Sequence, residues 1–156
     1  MTSSCTVRRA GPGDATALLG LMRGLARFEG YLDQFRVTET ALLERGLDRG
    51  PRQEFTALVA DDGSGALLGY AVVCSLPFTY DLLPNLLLKE LYVDETSRGL
   101  GVGRALIMAV MAEGRVRGCA RLKWDVLQGN TRAQAFYRSL GGAPDVPWQG
   151  WIYRLG

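Results

Sequence analysis

The stretch Leu86–Val110, LLLKELYVDETSRGLGVGRALIMAV, changes character halfway along. Leu86–Val93 is an apolar, strand-like run, and from Arg104 onward the apolar residues recur at helical spacing. Between the two, Gly99, Gly101 and Gly103 alternate with Leu100 and Val102, flanked by Arg98 and Arg104. Glycines let a loop turn tightly and let a ligand approach the backbone. A loop entering a helix points unpaired N–H groups outward, at the positive end of the helix dipole. With an arginine on either side, such a loop suits a phosphate or pyrophosphate. The alternative is a tight strand-to-helix turn that holds no ligand, a reading that fits one glycine better than three.

Spacing narrows the choice of phosphate ligand. A nucleotide-hydrolysing loop needs G-x-x-x-x-G-K-[ST], and the chain has no Gly-Lys pair. A dinucleotide fingerprint needs G-x-G-x-x-G, but the sixth place is Arg104 counting from Gly99 and Leu106 counting from Gly101. What fits is R-x-x-G-x-G, on Arg98, Gly101 and Gly103.

Working outward, Cys5–Ala10 reads as a short strand and Asp14–Glu29 as a helix capped by Asp14, with Leu18, Leu21, Met22, Leu25 and Phe28 on one face. Thr38 caps a second short helix that closes near Gly46–Gly50. Glu54–Leu76 reads as a hairpin turning at Asp61–Gly65. After the glycine loop comes a long helix packed through Leu106, Ala109, Val110 and Ala112–Val116, then a strand at Ala120–Leu127. A short helix follows, capped by Asn130 or Thr131 and stopped by Gly141–Gly142, and a last strand is expected at Gly150–Gly156. The order β-α-α-β-β-β-α-β-α-β predicts an α/β chain with a mixed sheet and flanking helices, folded as one domain over residues 1–156. The segment from Leu88 to Leu127 should form a right-handed crossover joining two parallel strands.

Composition limits the chemistry. The chain has 156 residues, 47% hydrophobic and 22% charged, with a net charge of +2, so charge gives no reason to expect nucleic acid. No apolar run reaches the roughly 20 residues of a membrane span, and the N-terminal 14 residues are too polar for a secretory signal. Cys5, Cys74 and Cys119 are widely spaced, which fits reduced thiols in the cytoplasm rather than a disulfide framework or a zinc site. The absence of histidine removes Ser-His and Cys-His nucleophiles and the commonest metal ligand. No metal is expected.

The Arg98–Arg104 loop, with a strand ahead, a helix after it, another strand and then an Asn-started helix carrying Tyr137, resembles the pyrophosphate loop of the GNAT N-acetyltransferase superfamily. LARFEG at 25–30, VTETALLERG at 37–46, FTYD at 78–81, NTRAQAFYRSLGG at 130–142 and the late Gly150-Trp151 look like its diamine (spermidine/spermine) acetyltransferase branch. The resemblance implies a GNAT fold, often a homodimer, that moves an acetyl group from acetyl-coenzyme A to a primary amine by direct attack. It implies donor contacts from Leu91, Tyr92 and Val93 on the strand, from Arg98, Gly99, Leu100, Gly101, Val102, Gly103 and Arg104 in the loop, and from Asn130, Thr131, Arg132 and Ala133 on the late helix. In the family a main-chain N–H near Leu91–Val93 polarises the thioester carbonyl. Tyr137 takes the general-acid position, and a phenol with a reference pKa near 10 is suited to protonate a leaving thiolate.

On the acceptor side the pattern departs from the branch. Two adjacent acids precede the loop in the branch; here the places hold Lys89 and Glu90. A later acid before Gly-Trp is matched by Gln149. Both changes remove negative charge where a polycation would sit, which argues against polyamines. Phe28 and Glu29 match the amine-binding pair, and Glu90 or Asp125 is placed to seat the amine or relay its proton through water. Lys123 and Trp124 complete the acceptor candidates. Lys89 would attract a carboxylate, which points to an amino-acid-like amine such as a lysine analogue. Acetylation of a protein N-terminus or lysine, and a coenzyme-A-binding module without turnover, are the competing readings.

Overall fold

The structure, a computed structural model, describes residues 5–156. The first four residues of the polar N-terminal stretch therefore lie outside the described residues. The chain divides into two compact units, the first running to Trp124 and the second being Asp125–Gly156.

The first unit is built on five strands in spatial order β1 to β5: β1 Thr6–Arg9, β2 Thr56–Asp61, β3 Leu67–Leu76, β4 Asn85–Val93 and β5 Arg121–Lys123. The first three pairings are antiparallel and β4 pairs with β5 in parallel, as the crossover reading requires. Helix α1, Ala15–Glu29, covers one face of the sheet. Its Leu18, Leu21, Met22 and Leu25 form a core with Ala57, Val59, Tyr70 and Val72. Phe28, expected on the same stripe, is 58% exposed at the helix end. Asp14 precedes the helix, but its carboxylate accepts from Gly11 N–H and Arg8 rather than from the helix itself. A close approach between α1 and β4 depends on Gly24, where an added Cβ would lie 2.7 Å from the Tyr92 hydroxyl oxygen.

Helix α2, Glu39–Leu42, is capped by Thr38, whose Oγ1 accepts from Ala41 N–H at 3.1 Å, and continues into a wider turn at Leu43–Leu47. Helix α3, Val102–Val116, covers the opposite face of the sheet, with Val102 and Leu106 against Ala60, Leu91 and Val93. Its buried residues are Val102, Leu106, Ile107, Val110 and Gly114. Of the Ala112–Val116 stretch expected to pack, only Gly114 is buried; Ala112, Arg115 and Val116 are exposed, Val116 at 83%, because they lie on the face turned away from the sheet.

The sheet carries an irregularity that positions the site. Val72 pairs with Glu90 and Val73 with Leu88, so Lys89 is an extra residue with no partner on β3. Such a bulge resets the alternation of faces. Leu86 faces α3, beside Gly114, and Leu88 shares its face by alternation. Leu91 and Val93 also pack on the α3 side, whereas Tyr92 packs on the α1 side. Lys89 and Glu90, adjacent in sequence, therefore both fall on the α1 face.

In the second unit α4, Thr131–Ser139, is capped by Asn130, whose Oδ1 accepts from Ala133 N–H at 3.1 Å. Residues 150–156 form no strand, and Trp151, Tyr153 and Leu155 are at least 86% exposed. The alternation W-I-Y-R-L has strand propensity, but a strand exists only in a ladder, and no described residue pairs with this segment. For the same reason the strand expected over Ala120–Leu127 is confined to the three residues that pair with β4. No helix among the described residues is long and apolar enough to cross a membrane.

Candidate active site

The parallel pairing of β4 and β5 ends early. Asn85, Leu86 and Leu87 pair with Arg121, Leu122 and Lys123, and beyond that no strand of the described residues pairs with this side of β4. Along Leu88–Val93 the main-chain groups directed away from β3 meet no further strand among the described residues, and of these Val93 O accepts from Arg98. Leu91, Tyr92 and Val93, the expected thioester contacts, lie on this open edge.

The chain then turns through Glu95–Ser97 into the glycine loop. Gly99 at φ 79° and Gly101 at φ 81° are left-handed, a conformation that favours glycine over any residue with a Cβ. The first helical hydrogen bond of α3 is Ala105 N–H to Gly101 O at 3.0 Å. The N–H groups of Val102, Gly103 and Arg104 therefore have no carbonyl of their own helix to meet and point out at its N-terminus, the arrangement anions bind. Arg98 folds back: its Nε donates to Val93 O at 3.1 Å, and its guanidinium carbon lies 5.3 Å from the Phe28 ring centre and 5.6 Å from that of Tyr92. It ties the glycine loop to the last turn of α1.

Phe28 and Glu29 end α1, and Gly30, left-handed at φ 82°, stops it. Glu29 reaches the surface, yet its carboxyl is raised above its ordinary value, first by desolvation and then by the charge of Glu90. Tyr31 is raised by its burial, by Glu90 and by Glu29. Glu90 Oε1 accepts from the Tyr70 hydroxyl at 2.7 Å. Tyr70 is fully buried, and burial together with the Glu90 charge pushes its phenol far up, which keeps it a proton donor to the carboxylate. Glu29, Tyr31, Tyr70 and Glu90 thus form one electrostatically linked group on the α1 side of the sheet.

Lys89 is exposed, and its charge reaches Cys74. Burial nevertheless holds the Cys74 thiol above its ordinary value, the opposite of what an activated nucleophile needs. Lys123 ends β5, with Trp124 after it. Phe78, Tyr80 and Leu82 are 82%, 90% and 71% exposed. Their loop is anchored by Arg121, which binds Asp81 Oδ1 at 2.8 Å and Oδ2 at 2.9 Å and Asn85 Oδ1 at 2.6 Å.

The second unit holds the remaining candidates. Thr131, Arg132 and Ala133 form the first turn of α4, and Tyr137 lies beside Phe136 with ring centres 5.3 Å apart. Asp125 and Gln149 are exposed, outside helix or strand.

Sequence reading missed Tyr31 and Tyr70. The available signal was a hydroxyl inside the apolar run LLGYAVVC at 67–74, since a buried phenol requires a polar partner. The bulge at Lys89 had no signal, because LLLKELYV reads as one uninterrupted strand.

Comparison with known proteins identifies the family. The model of the acetyltransferase (GNAT) family matches residues 22–142. The chain is 30% identical over 152 residues to thialysine N-epsilon-acetyltransferase of Bos taurus, covering 93% of this chain and 88% of that protein. It is 29% identical to spermidine/spermine N(1)-acetyltransferase-like protein 1 of Homo sapiens, over 93% of this chain and 21% of that longer protein. An aminoglycoside acetyltransferase from an uncultured soil metagenomic sample superposes with a TM-score of 0.81 at 18% identity, covering 97% of each chain, which shows the shared fold. The chain is thus an acetyl-coenzyme-A-dependent N-acetyltransferase and belongs to the GNAT family, in its diamine-acetyltransferase-like branch.

Proposed function

We propose that the acceptor is a small amino-acid-like amine, such as a lysine analogue, rather than a polyamine. The observation that carries this reading is the bulge in β4, which puts Lys89 and Glu90 side by side on the face where Glu29 ends α1. A cation beside two carboxylates is complementary to a zwitterion. Lys89 offers a partner for the substrate carboxylate, and Glu90 with Glu29 offers one for an ammonium group. For a polycation, Lys89 is repulsive. The thialysine acetyltransferase likeness supports the same substrate class.

In this reading acetyl-coenzyme A supplies an acetyl group activated as a thioester. The main chain of Leu91–Val93 and Gly99–Arg104 holds the donor, with Arg98, Asn130, Thr131, Arg132 and Ala133 contributing. The amine nitrogen forms a bond to the acetyl carbon as the carbon–sulfur bond breaks. Its surplus proton leaves through water toward Glu90, and Tyr137 gives its hydroxyl proton to the departing sulfur. Phe28, Lys123, Trp124, Asp125 and Gln149 complete the acceptor contacts. Both units act as one GNAT domain over residues 1–156, a reading supported by a family match that crosses the unit boundary. A cytoplasmic homodimer is the working form, in keeping with the three free cysteines and the branch resemblance.

The test is free-thiol release from acetyl-coenzyme A against an amine panel. Lysine-like amines are expected to turn over ahead of spermidine, and preference for spermidine would overturn the reading. Tyr137→Phe is expected to lower kcat by about a hundredfold at neutral pH with coenzyme affinity nearly unchanged. An unchanged kcat removes Tyr137 from the mechanism.

A further inference from the structure

We propose that Tyr70 is a positioning residue for the acceptor: its buried hydroxyl fixes one oxygen of Glu90 so that the other faces the incoming ammonium group. The inference rests on the reading of Glu90 as part of the acceptor seat. Tyr70 lies in β3 opposite Tyr92, and Glu90 is its diagonal neighbour on β4, two residues before Tyr92. Their rings are 6.3 Å apart between centres. Within the core of Leu18, Leu21 and Val72, the ring of Tyr70 does what a phenylalanine would do. The hydroxyl is what needs explaining. A phenol buried without a partner is unfavourable, and this one is satisfied by Glu90 Oε1 at 2.7 Å.

The bond also constrains Glu90. A glutamate next to a bulge has a flexible side chain, and the neighbouring Glu29 charge repels it. Left to itself the carboxylate would swing toward solvent or toward Lys89. Donation from a rigid, fully buried phenol holds it on the α1 side, beside Glu29 and Tyr31, and occupies only one of its oxygens. An ammonium group arriving there meets a preoriented acceptor and relieves the repulsion between the two carboxylates. Tyr70 touches no substrate in this account and acts through Glu90.

Kinetics of Tyr70→Phe, Glu90→Gln and the double variant, with thialysine as acceptor, test the assignment. Tyr70→Phe removes one oxygen and leaves the packing, so the melting temperature and coenzyme A affinity report whether the fold is retained. The amine KM is expected to rise about tenfold in each single variant; kcat should change less than about twofold in Tyr70→Phe, which keeps the Glu90 carboxylate, and fall in Glu90→Gln, which removes the proton acceptor. In the double variant the loss should match that of Glu90→Gln alone, because the hydroxyl acts only through that carboxylate. Glu90→Asp keeps the charge but draws it back from the phenol by one methylene, and should lose as much as Tyr70→Phe. Two results overturn the role of Tyr70 while leaving the seat intact: a wild-type amine KM in Tyr70→Phe or Glu90→Asp beside an impaired Glu90→Gln, or losses that multiply in the double variant. A wild-type amine KM in Glu90→Gln overturns the seat itself and the positioning role with it.

Discussion

In the proposed site, residues 98–104 would present main chain to the donor, whereas Phe28, Glu29, Tyr31, Lys89 and Glu90 would present side chains to the acceptor, drawn from α1, β4 and the turn after α1, with Tyr70 of β3 behind Glu90. The proposed donor loop is continuous in sequence and owes its shape to two left-handed glycines and a helix start. The proposed acceptor side is assembled across the fold and depends on one unpaired strand residue. A backbone site tolerates change in the side chains around it but not in its dihedral angles. A side-chain site behaves the other way round, and its charges set which amine is taken. Arg98 belongs to both, as part of the loop that rests on Phe28 and Tyr92.

The largest effect that would break this contrast is at Gly101. Gly101→Val forces a β-branched residue to φ 81°, and the strain should weaken coenzyme A binding by about 10- to 100-fold. Thermal stabilisation by coenzyme A reads the loss, and undiminished stabilisation would mean that the loop does not hold the donor through its backbone. A smaller effect sharpens the link between the two sides. Phe28→Ala removes one of the two rings under Arg98 and should weaken coenzyme A by about two- to fivefold, although Phe28 sits on the acceptor helix. Unchanged coenzyme affinity would separate the two regions completely.

The smallest effect concerns stability. The Glu29 carboxyl is raised by desolvation and by Glu90, so the folded chain holds its proton more tightly than the unfolded chain does. Stability therefore falls as pH rises through the carboxylate range, and the penalty is fully present above the folded-state value. Glu29→Gln should stabilise the substrate-free protein at neutral pH by a few tenths of a kcal/mol after solvent screening, while raising the amine KM about two- to fivefold. Chemical denaturation at neutral pH and near pH 4 checks the sign: the advantage of the variant should shrink as the wild-type carboxyl becomes protonated. Equal stability at both values would remove the repulsion.

The same contrast explains what the sequence revealed. Gly99, Gly101 and Gly103 can be read because a backbone site leaves its mark in spacing, and the parallel β4–β5 pair follows from the helix between them. Glu29 and Glu90 can be named, but that they influence each other depends on how α1 lies on β4, which Gly24 and Tyr92 decide. Lys89 was legible as a change of charge and not as a bulge, since register belongs to the pair of strands. Tyr70 was hidden among apolar neighbours because its partner lies 20 residues away. The terminal segment shows the converse error: Trp151, Tyr153 and Leu155 alternate like a strand, but alternation supplies no partner edge.

The central claim, that Lys89 and Glu90 share a face and together read a zwitterionic amine, is tested most directly by reversing one charge. Lys89→Glu replaces the carboxylate's partner with a third acid beside Glu29 and Glu90. The ratio of kcat/KM for thialysine to that for spermidine should fall at least about tenfold relative to the wild type, with coenzyme A affinity unchanged. A ratio that stays at the wild-type value would show that Lys89 does not face the acceptor, and would contradict the account.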